Sequence, residues 1–269
     1  MKKVYLTLIA VVRDQEHYIK EWLAFHHIVG VERFVLILHK CGDLTENRIR
    51  ELPFAEDIFV HHVIDESVVS VQLGVYHWAV QHYGHDSRWL LFLDSDEFMF
   101  GTVEDSLPAL LEPYEHFGGL AVHLHHFGSN NHVFRPPSLS IEAFTKRKPD
   151  DYDMNRAVKS FIRTDQLAAI LSPHIQVTIA PVVREHFDPV GAIHWGPQKK
   201  PTFDIVRCNH YHTRSMEDWV ERRRRGSCNT VHEDNALYDV ERFIERNTGE
   251  MVEDLDVLRF SNSIREMME

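Results

Sequence analysis

The chain has 269 residues, 41 acidic and 29 basic, giving a formal charge of -12 alongside 20 histidines. That balance excludes a protein that grips nucleic acid over a broad basic face, while leaving room for a local anion site. At 43% hydrophobic and 26% charged residues, disorder is excluded as well, and the length supports one sizeable core.

Lys2-Lys3 before the apolar run Val4 to Val12 imitates a secretory leader. The run passes straight into Arg13-Asp14-Gln15-Glu16 without a small-residue cleavage site, and its β-branched content suits a strand buried on both faces. From Asp14, read as an N-cap, Tyr18, Ile19, Trp22, Leu23, Phe25, His26 and Val29 recur at helical spacing until Gly30 stops the pattern. Phe34 to Leu38 reads as a second strand, Thr45 to Leu52 as a short helix and Ile58 to Ile64 as a third strand. Val69 to Tyr83 then reads as a helix and Trp89 to Leu93 as a fourth strand. Beyond Phe100 come a helix over Glu104 to Leu111, a strand over Leu120 to Phe127 and an irregular Pro-, Ser- and Asn-rich stretch to Tyr152. Strands follow at Lys159 to Arg163, Ile175 to Ile179 and Ile205 to Tyr211, then a helix from Ser215 to Arg225 and a charged helical tail.

Alternating strands and helices predict an α/β fold: a mostly parallel sheet with helices on both faces and ligands at the carboxyl ends of the strands. Without repeats or a linker, the economical organisation is one domain over residues 1–226 with a C-terminal helical extension over 227–269 packed on it. No stretch approaches the roughly twenty apolar residues of a membrane span. Cys41, Cys208 and Cys228 contain no C-x-x-C, so neither a disulfide framework nor a thiolate cage is expected. The reading is a cytoplasmic chain, soluble or peripheral at the inner face of the membrane.

The most informative segment is Trp89-Leu-Leu-Phe-Leu-Asp94-Ser95-Asp96-Glu97-Phe98, an apolar strand that delivers three carboxylates to the ligand-bearing edge. Alternate residues of an extended strand face the same way, so Asp94 and Asp96 are expected to share one site, with a hard cation, Mg²⁺ or Mn²⁺, relieving their repulsion. Such ions share their coordination with phosphates, so a metal-bound diphosphate is the expected ligand. Two enzyme classes place D-x-D at a strand end: phosphohydrolases of the haloacid dehalogenase type, with Asp94 as nucleophile, and nucleotide-sugar glycosyltransferases. The hydrolase motif belongs on the first core strand, whereas here three strand-helix units precede it.

Beyond these single features, an ordered series of motifs resembles the family-2-like glycosyltransferases related to glycosyltransferase family 92. It comprises Val12-Arg-Asp-Gln-Glu16 with Glu21-Trp22-Leu23 and Gly30-Val31; Gln72 with Tyr76; and Asp94-Ser-Asp-Glu-Phe98. Phe127-Gly-Ser-Asn-Asn-His132, Arg135-Pro136, Glu142-Ala-Phe144, Lys159-Ser160 and Asn209-His-Tyr211 with Arg214-Ser215 complete it. Where the family usually carries an Asp-Asn pair after strand two, this chain has His39-Lys-Cys-Gly-Asp43.

The resemblance implies a GT-A fold and metal-dependent, inverting transfer of a hexose from a UDP-sugar to a saccharide or glycoconjugate. It implies Asp94, Asp96 and His210 as ligands of Mn²⁺ or Mg²⁺, and Arg13, Glu16, Gln72, Ser95, Lys159 and Arg214 on the donor. Gly128, Ser129, Asn130 and His132 fall on the acceptor side. The base candidates are Glu142 first, then Glu97 and Asp234. Arg222 is a further cation for the diphosphate; the run Arg222 to Arg225 otherwise reads as a solvated face or an anionic-lipid contact. Trp78, Trp89, Trp195 and Tyr211 are either core or sugar platforms. His61-His62 and His123-x-His125-His126 read as packing residues, because neighbours in a strand point to opposite faces. The alternatives are the phosphohydrolase and a nucleotide-sugar-binding module without turnover.

Overall fold

The computed structural model describes residues 3–63, 71–190, 200–226 and 239–269. In chain order the elements are β1 (Val4–Val12), α1 (Ile19–Ile28), β2 (Arg33–His39), α2 (Thr45–Arg50), β3 (Ile58–Val63), α3 (Val71–Tyr83), β4 (Ser87–Phe92) and β5 (Glu97–Gly101). There follow α4 (Leu107–Leu111), β6 (Gly119–His126), α5 (Ser140–Ala143), β7 (Lys146–Arg147), β8 (Val158–Arg163), β9 (Leu167–Ser172) and β10 (Ile175–Thr178). The last are β11 (Val182–Val183), β12 (Val206–His210), α6 (Met216–Arg225), α7 (Val240–Asn247), β13 (Val252–Glu253) and α8 (Ser261–Met268).

Among the described residues the main sheet runs β3-β2-β1-β4-β8-β6-β12-β5, with β11 beside β6. The four strands β3, β2, β1 and β4 are parallel, as the βαβα order requires. β8 then runs antiparallel between β4 and β6, while β12 is parallel to β6 and antiparallel to β5. This is the expected α/β, GT-A-like arrangement. β1 reads as an unbroken apolar run because both of its faces are covered. Leu8, Ala10 and Val12 pack with Trp22 and Phe25 of α1, whereas Ile9 and Val11 pack with Val75 and Tyr76 of α3. The C-terminal segment joins the same core: Phe260 lies 5.2 Å from Phe25, Ile264 is fully buried and β13 pairs with β7. No helix of the described residues is long and apolar enough to cross a membrane.

Two local expectations change. Asp14 does not cap α1, which begins after Tyr18 without a side-chain cap. Asp14 instead adopts a left-handed φ of 46°, and its Oδ1 accepts from Gly42 N at 2.8 Å, tying the β1 exit to the loop after β2. Glu97–Gly101, to which the sequence reading assigned no element, forms β5, a short strand whose pairing with β12 is non-local and invisible to periodicity. Gly30 ends α1 as expected, at φ 100°, where an added Cβ would meet Pro108 Cδ at 2.6 Å.

Trp22 links this core to the strand-end carboxylates, because its Nε1 donates to Glu97 O at 2.8 Å inside the protein. Trp22→Phe keeps most of the apolar volume but leaves that carbonyl unsatisfied. It is expected to lower unfolding free energy by about 1–3 kcal/mol in urea titrations, and an unchanged midpoint would show that the bond contributes nothing.

Candidate functional site

β4 ends beside β1 in parallel register, so Leu93 N donates to Ile9 O and the residues after Val11 lie against those after Phe92. The carboxylates occupy a tight turn rather than an extended strand, closed by Glu97 N donating to Asp94 O at 3.1 Å. The alternation expected for Asp94 and Asp96 therefore does not apply, and the two acids have different partners. Asp94 Oδ2 accepts from Lys159 Nζ at 2.8 Å and its Oδ1 from Gln72 Nε2 at 2.9 Å. Burial opposes ionisation of Asp94, but Lys159 outweighs it and holds the carboxyl below its ordinary value. Asp96 Oδ2 accepts from Arg222 Nη2 at 2.7 Å, and Oδ1 lies 3.5 Å from His210 Nε2. Here too burial opposes ionisation, and Arg222 with His210 holds Asp96 well below the carboxylate range.

Glu97 is fully buried. Its Oε2 accepts from Asp94 N at 2.9 Å and lies 3.1 Å from Lys159 Nζ, while its Oε1 has no hydrogen-bond partner among the described residues. Burial pushes its carboxyl up to about 7, with Lys159 pulling the other way.

The histidines arrive through β12. Its antiparallel register with β5 sets His210 against Glu97, and Tyr211 N donates to Asp96 O at 2.8 Å, pinning the carboxylate turn to the segment after the strand. β12 ends at His210, and the His210 and His212 rings lie 5.2 Å apart between centroids. Asp96, His210 and His212 bring ligand atoms within 4.8 Å of one another. That donor set, one carboxylate with two imidazoles and a His210 Nδ1 without a partner among the described residues, fits a divalent ion such as Mn²⁺. Asp94 is not in this cluster; its oxygens lie on Lys159 and Gln72. His212 takes the third place, which the sequence reading left without a role.

Arg13 follows β1, and the other two basic groups of the site come from α6. Its start is fixed by a capping box in which Ser215 Oγ accepts from Asp218 N and Asp218 Oδ2 accepts from Ser215 N. Tyr18 and Arg135 also donate to the Asp218 carboxylate, at 2.7 and 2.8 Å. Helical i,i+3 spacing then puts Arg222 and Arg225 on the face toward the carboxylates, while Arg223 and Arg224 are exposed. The run is thus half a site wall and half a solvated face. Arg225 donates to Arg13 O and Asp14 O at 2.6 and 2.7 Å, and burial lowers its guanidinium to about 10.

These groups line a cleft of about 260 Å³ that includes Arg13, Gln72, Asp94, Ser95, Asp96, Glu97, His210, His212, Arg222 and Arg225. Gln15 and His174 also line it. Of the residues expected on the donor, Arg13, Gln72 and Ser95 are at the cleft. Lys159 and Arg214 stand behind it as supports: Lys159 is fully buried beneath Asp94 and Glu97, and Arg214 donates to Ser95 O and Gln15 Oε1 at 3.0 and 2.8 Å. Glu16 serves the turn after β2, accepting from Leu44 N at 3.0 Å, and does not line the cleft.

The expected acceptor loop and the first-choice base are also elsewhere. Gly128 packs beside Met251, Ser129 N donates to Asn247 Oδ1, Asn130 bonds Thr145 and Lys146, and His132 Nε2 meets Ala143 O at 3.2 Å. This loop is satisfied by its own neighbours and by α7. Glu142 on α5 pairs with Arg265 at 2.6 Å and does not line the cleft, because α5 packs toward the C-terminal segment. Asp234 and Trp195 lie outside the described residues. Trp89 and Tyr211 are fully buried core, and Trp78 stacks on His82, so none is a sugar platform at the cleft. His61 bonds Tyr83 and His62 pairs with Glu46, in keeping with packing and pairing roles.

The family model "Glycosyltransferase family 92" matches residues 8–240. Two galactan beta-1,4-galactosyltransferases of Arabidopsis thaliana are similar. GALS2 is 28% identical over 109 residues, 37% of this chain and 21% of the relative. GALS3 is 25% identical over 114 residues, 39% and 22% of the two chains. The match thus spans about a fifth of either relative. Among solved structures, S. aureus TarS 1-349 superposes with a TM-score of 0.42 at 15% identity, covering 60% of this chain and 47% of that one. With the family model matched along most of its length, from within β1 to the start of α7, the chain belongs to glycosyltransferase family 92.

Proposed function

We propose that the chain transfers a hexosyl group, galactosyl first among the candidates, from a nucleoside-diphosphate sugar to a hydroxyl of a saccharide or glycoconjugate, with inversion. The observation that carries this reading is the meeting of Asp96, His210 and His212 with Arg13, Arg222 and Arg225 on one cleft in a family 92 chain. The galactosyl preference draws on the two relatives, both of which bear galactan galactosyltransferase names. Asp96, His210 and His212 would hold Mn²⁺, which accepts imidazole more readily than Mg²⁺ does. Bound there, the ion supplies Lewis-acid stabilisation of a diphosphate. Arg222 and Arg225 give guanidinium donors suited to phosphate oxygens. Lys159 keeps Asp94 ionised and aligned with Gln72, and Arg214 braces the Ser95 backbone.

Inversion needs a carboxylate that takes the acceptor proton. Glu142 is held by Arg265 away from the cleft, whereas Glu97 borders it, with a buried Oε1 4.0 Å from His210 Nε2, and we assign the role to Glu97. Glu97→Gln is expected to lower kcat by about 10²- to 10⁴-fold with donor affinity retained. Loss of donor affinity in step with kcat would reassign Glu97 to holding Lys159 and Asp94 in place.

The overall reading is tested by thermal-shift measurements of nucleotide sugars with and without Mn²⁺, followed by product analysis on a glycan array. Stabilisation by UDP-galactose with Mn²⁺, and a galactosylated product, are expected. Stabilisation without product from any acceptor pool would leave a binding module, and phosphate release from simple esters would return the hydrolase reading.

A further inference from the structure

Arg222 touches two of the three groups that form the candidate cation site. Its Nη2 donates to Asp96 Oδ2 at 2.7 Å, and its Nη1 lies 3.3 Å from His212 Nδ1. Both ends of the Arg222–Asp96 pair are sheltered, with side-chain exposures of 13% and 8%, so solvent screens it weakly. The helix that carries Arg222 is anchored at its other end by the Ser215–Asp218 capping box and by the Tyr18 and Arg135 bonds to Asp218. The guanidinium is therefore delivered to these ligand atoms by built structure. His212 Nδ1 faces the guanidinium as a hydrogen-bond acceptor.

Resting on the glycosyltransferase reading of this cleft, we propose that Arg222 is an exchangeable internal counter-ion. Without nucleotide it competes with the divalent cation for Asp96 and His212. When a nucleoside diphosphate enters, the guanidinium moves to the phosphate oxygens and vacates the ligands for the metal. Guanidinium suits both states, since its planar fork pairs as well with phosphate as with carboxylate. Two consequences follow by linkage: Mn²⁺ binds weakly to the nucleotide-free protein, and nucleotide and Mn²⁺ strengthen each other's binding by the same factor. Such coupling would keep the cation from settling in a cleft that has no donor.

The test is Mn²⁺ binding followed by electron paramagnetic resonance of the free ion, with and without UDP, on the full chain. Arg222→Met removes the charge and keeps a flexible stem. It is expected to bind Mn²⁺ at least tenfold more tightly than wild type without UDP, and to lose most of the gain that UDP brings. Arg222→Lys keeps the charge without the fork and is expected to fall between the two. Arg224→Met removes the same charge from the exposed face of α6 and is expected to leave Mn²⁺ binding unchanged, which separates direct competition from general electrostatics. Equal or weaker Mn²⁺ binding by both Arg222 variants, with wild-type melting curves, overturns the counter-ion role. An equal gain in Arg224→Met overturns it as well. The underlying site reading fails separately, by Asp96→Asn leaving Mn²⁺ binding unaltered in the Arg222→Met background.

Discussion

Asp96→Asn is expected to lower kcat/KM for transfer by about a thousandfold or more, the equivalent of about 4 kcal/mol of transition-state stabilisation. The substitution keeps the side-chain volume but removes the charge on which three things depend: the His210–His212 cluster, the Arg222 pair and the proposed cation. The matching variant Asp94→Asn acts differently, because Asp94 is the counter-charge of a fully buried Lys159. Its loss leaves that ammonium with Glu97 alone, so Asp94→Asn is expected to lower the melting temperature as well as activity. Steady-state kinetics paired with melting curves distinguish the two. Full divalent-dependent transfer by Asp96→Asn would remove this carboxylate from the site.

The second large effect concerns the histidines. His26 lies inside the core, with Nδ1 at 2.8 Å from Trp22 O and Nε2 accepting from Met99 N at 3.3 Å. A proton on Nε2 would break the second bond, and burial lowers the ring from the ordinary 6.5 to about 3. Burial lowers His123 to about 4, and it depresses His125 strongly, with Arg147 and Arg207 adding to the effect. Each of these rings binds its proton more readily in the unfolded chain. Its contribution to stability is therefore whole above the unfolded value of 6.5 and is lost as pH falls toward the folded value. Each contributes a slope approaching about 1.4 kcal/mol per pH unit, so three together approach about 4 kcal/mol per unit. Between pH 6.5 and 5, where most carboxylates remain ionised, urea midpoints are expected to fall steeply. His26→Gln, which retains a donor and an acceptor, should flatten that fall by one ring's share, well under a third, because burial also lowers His126 to about 3 and His174 to about 4. A midpoint that is flat across this window would mean these rings are protonated in the folded state.

The parallel half of the fold and the position of the carboxylates were legible because they are local. β1 to β4 show as apolar runs, α1 and α3 as helical spacing, and the acids directly follow an apolar strand. Gly30 behaves as its chemistry requires. The tight turn, by contrast, was invisible to a strand-alternation argument. The division of Asp94 and Asp96 between Lys159 and Arg222 depends on residues 65 and 126 positions away.

The order of elements, the acidic cluster and a run of motifs of one family lie in the chain itself, since each needs only neighbouring residues to be recognised. Tertiary structure decided which histidine of 20 joins His210, that Arg222 and Arg225 turn inward, and that Glu142 and the Gly128 to His132 loop belong to the C-terminal packing. The reason is physical. β12 enters the sheet between β6 and β5, and α6 is docked on Tyr18 and Arg135, so the site is assembled by strand register and helix capping. The opening charge of -12 thus resolves into a few acids held against specific cations, and the surplus of histidine is, at His26, His123 and His125, a set of neutral rings that hold the interior together.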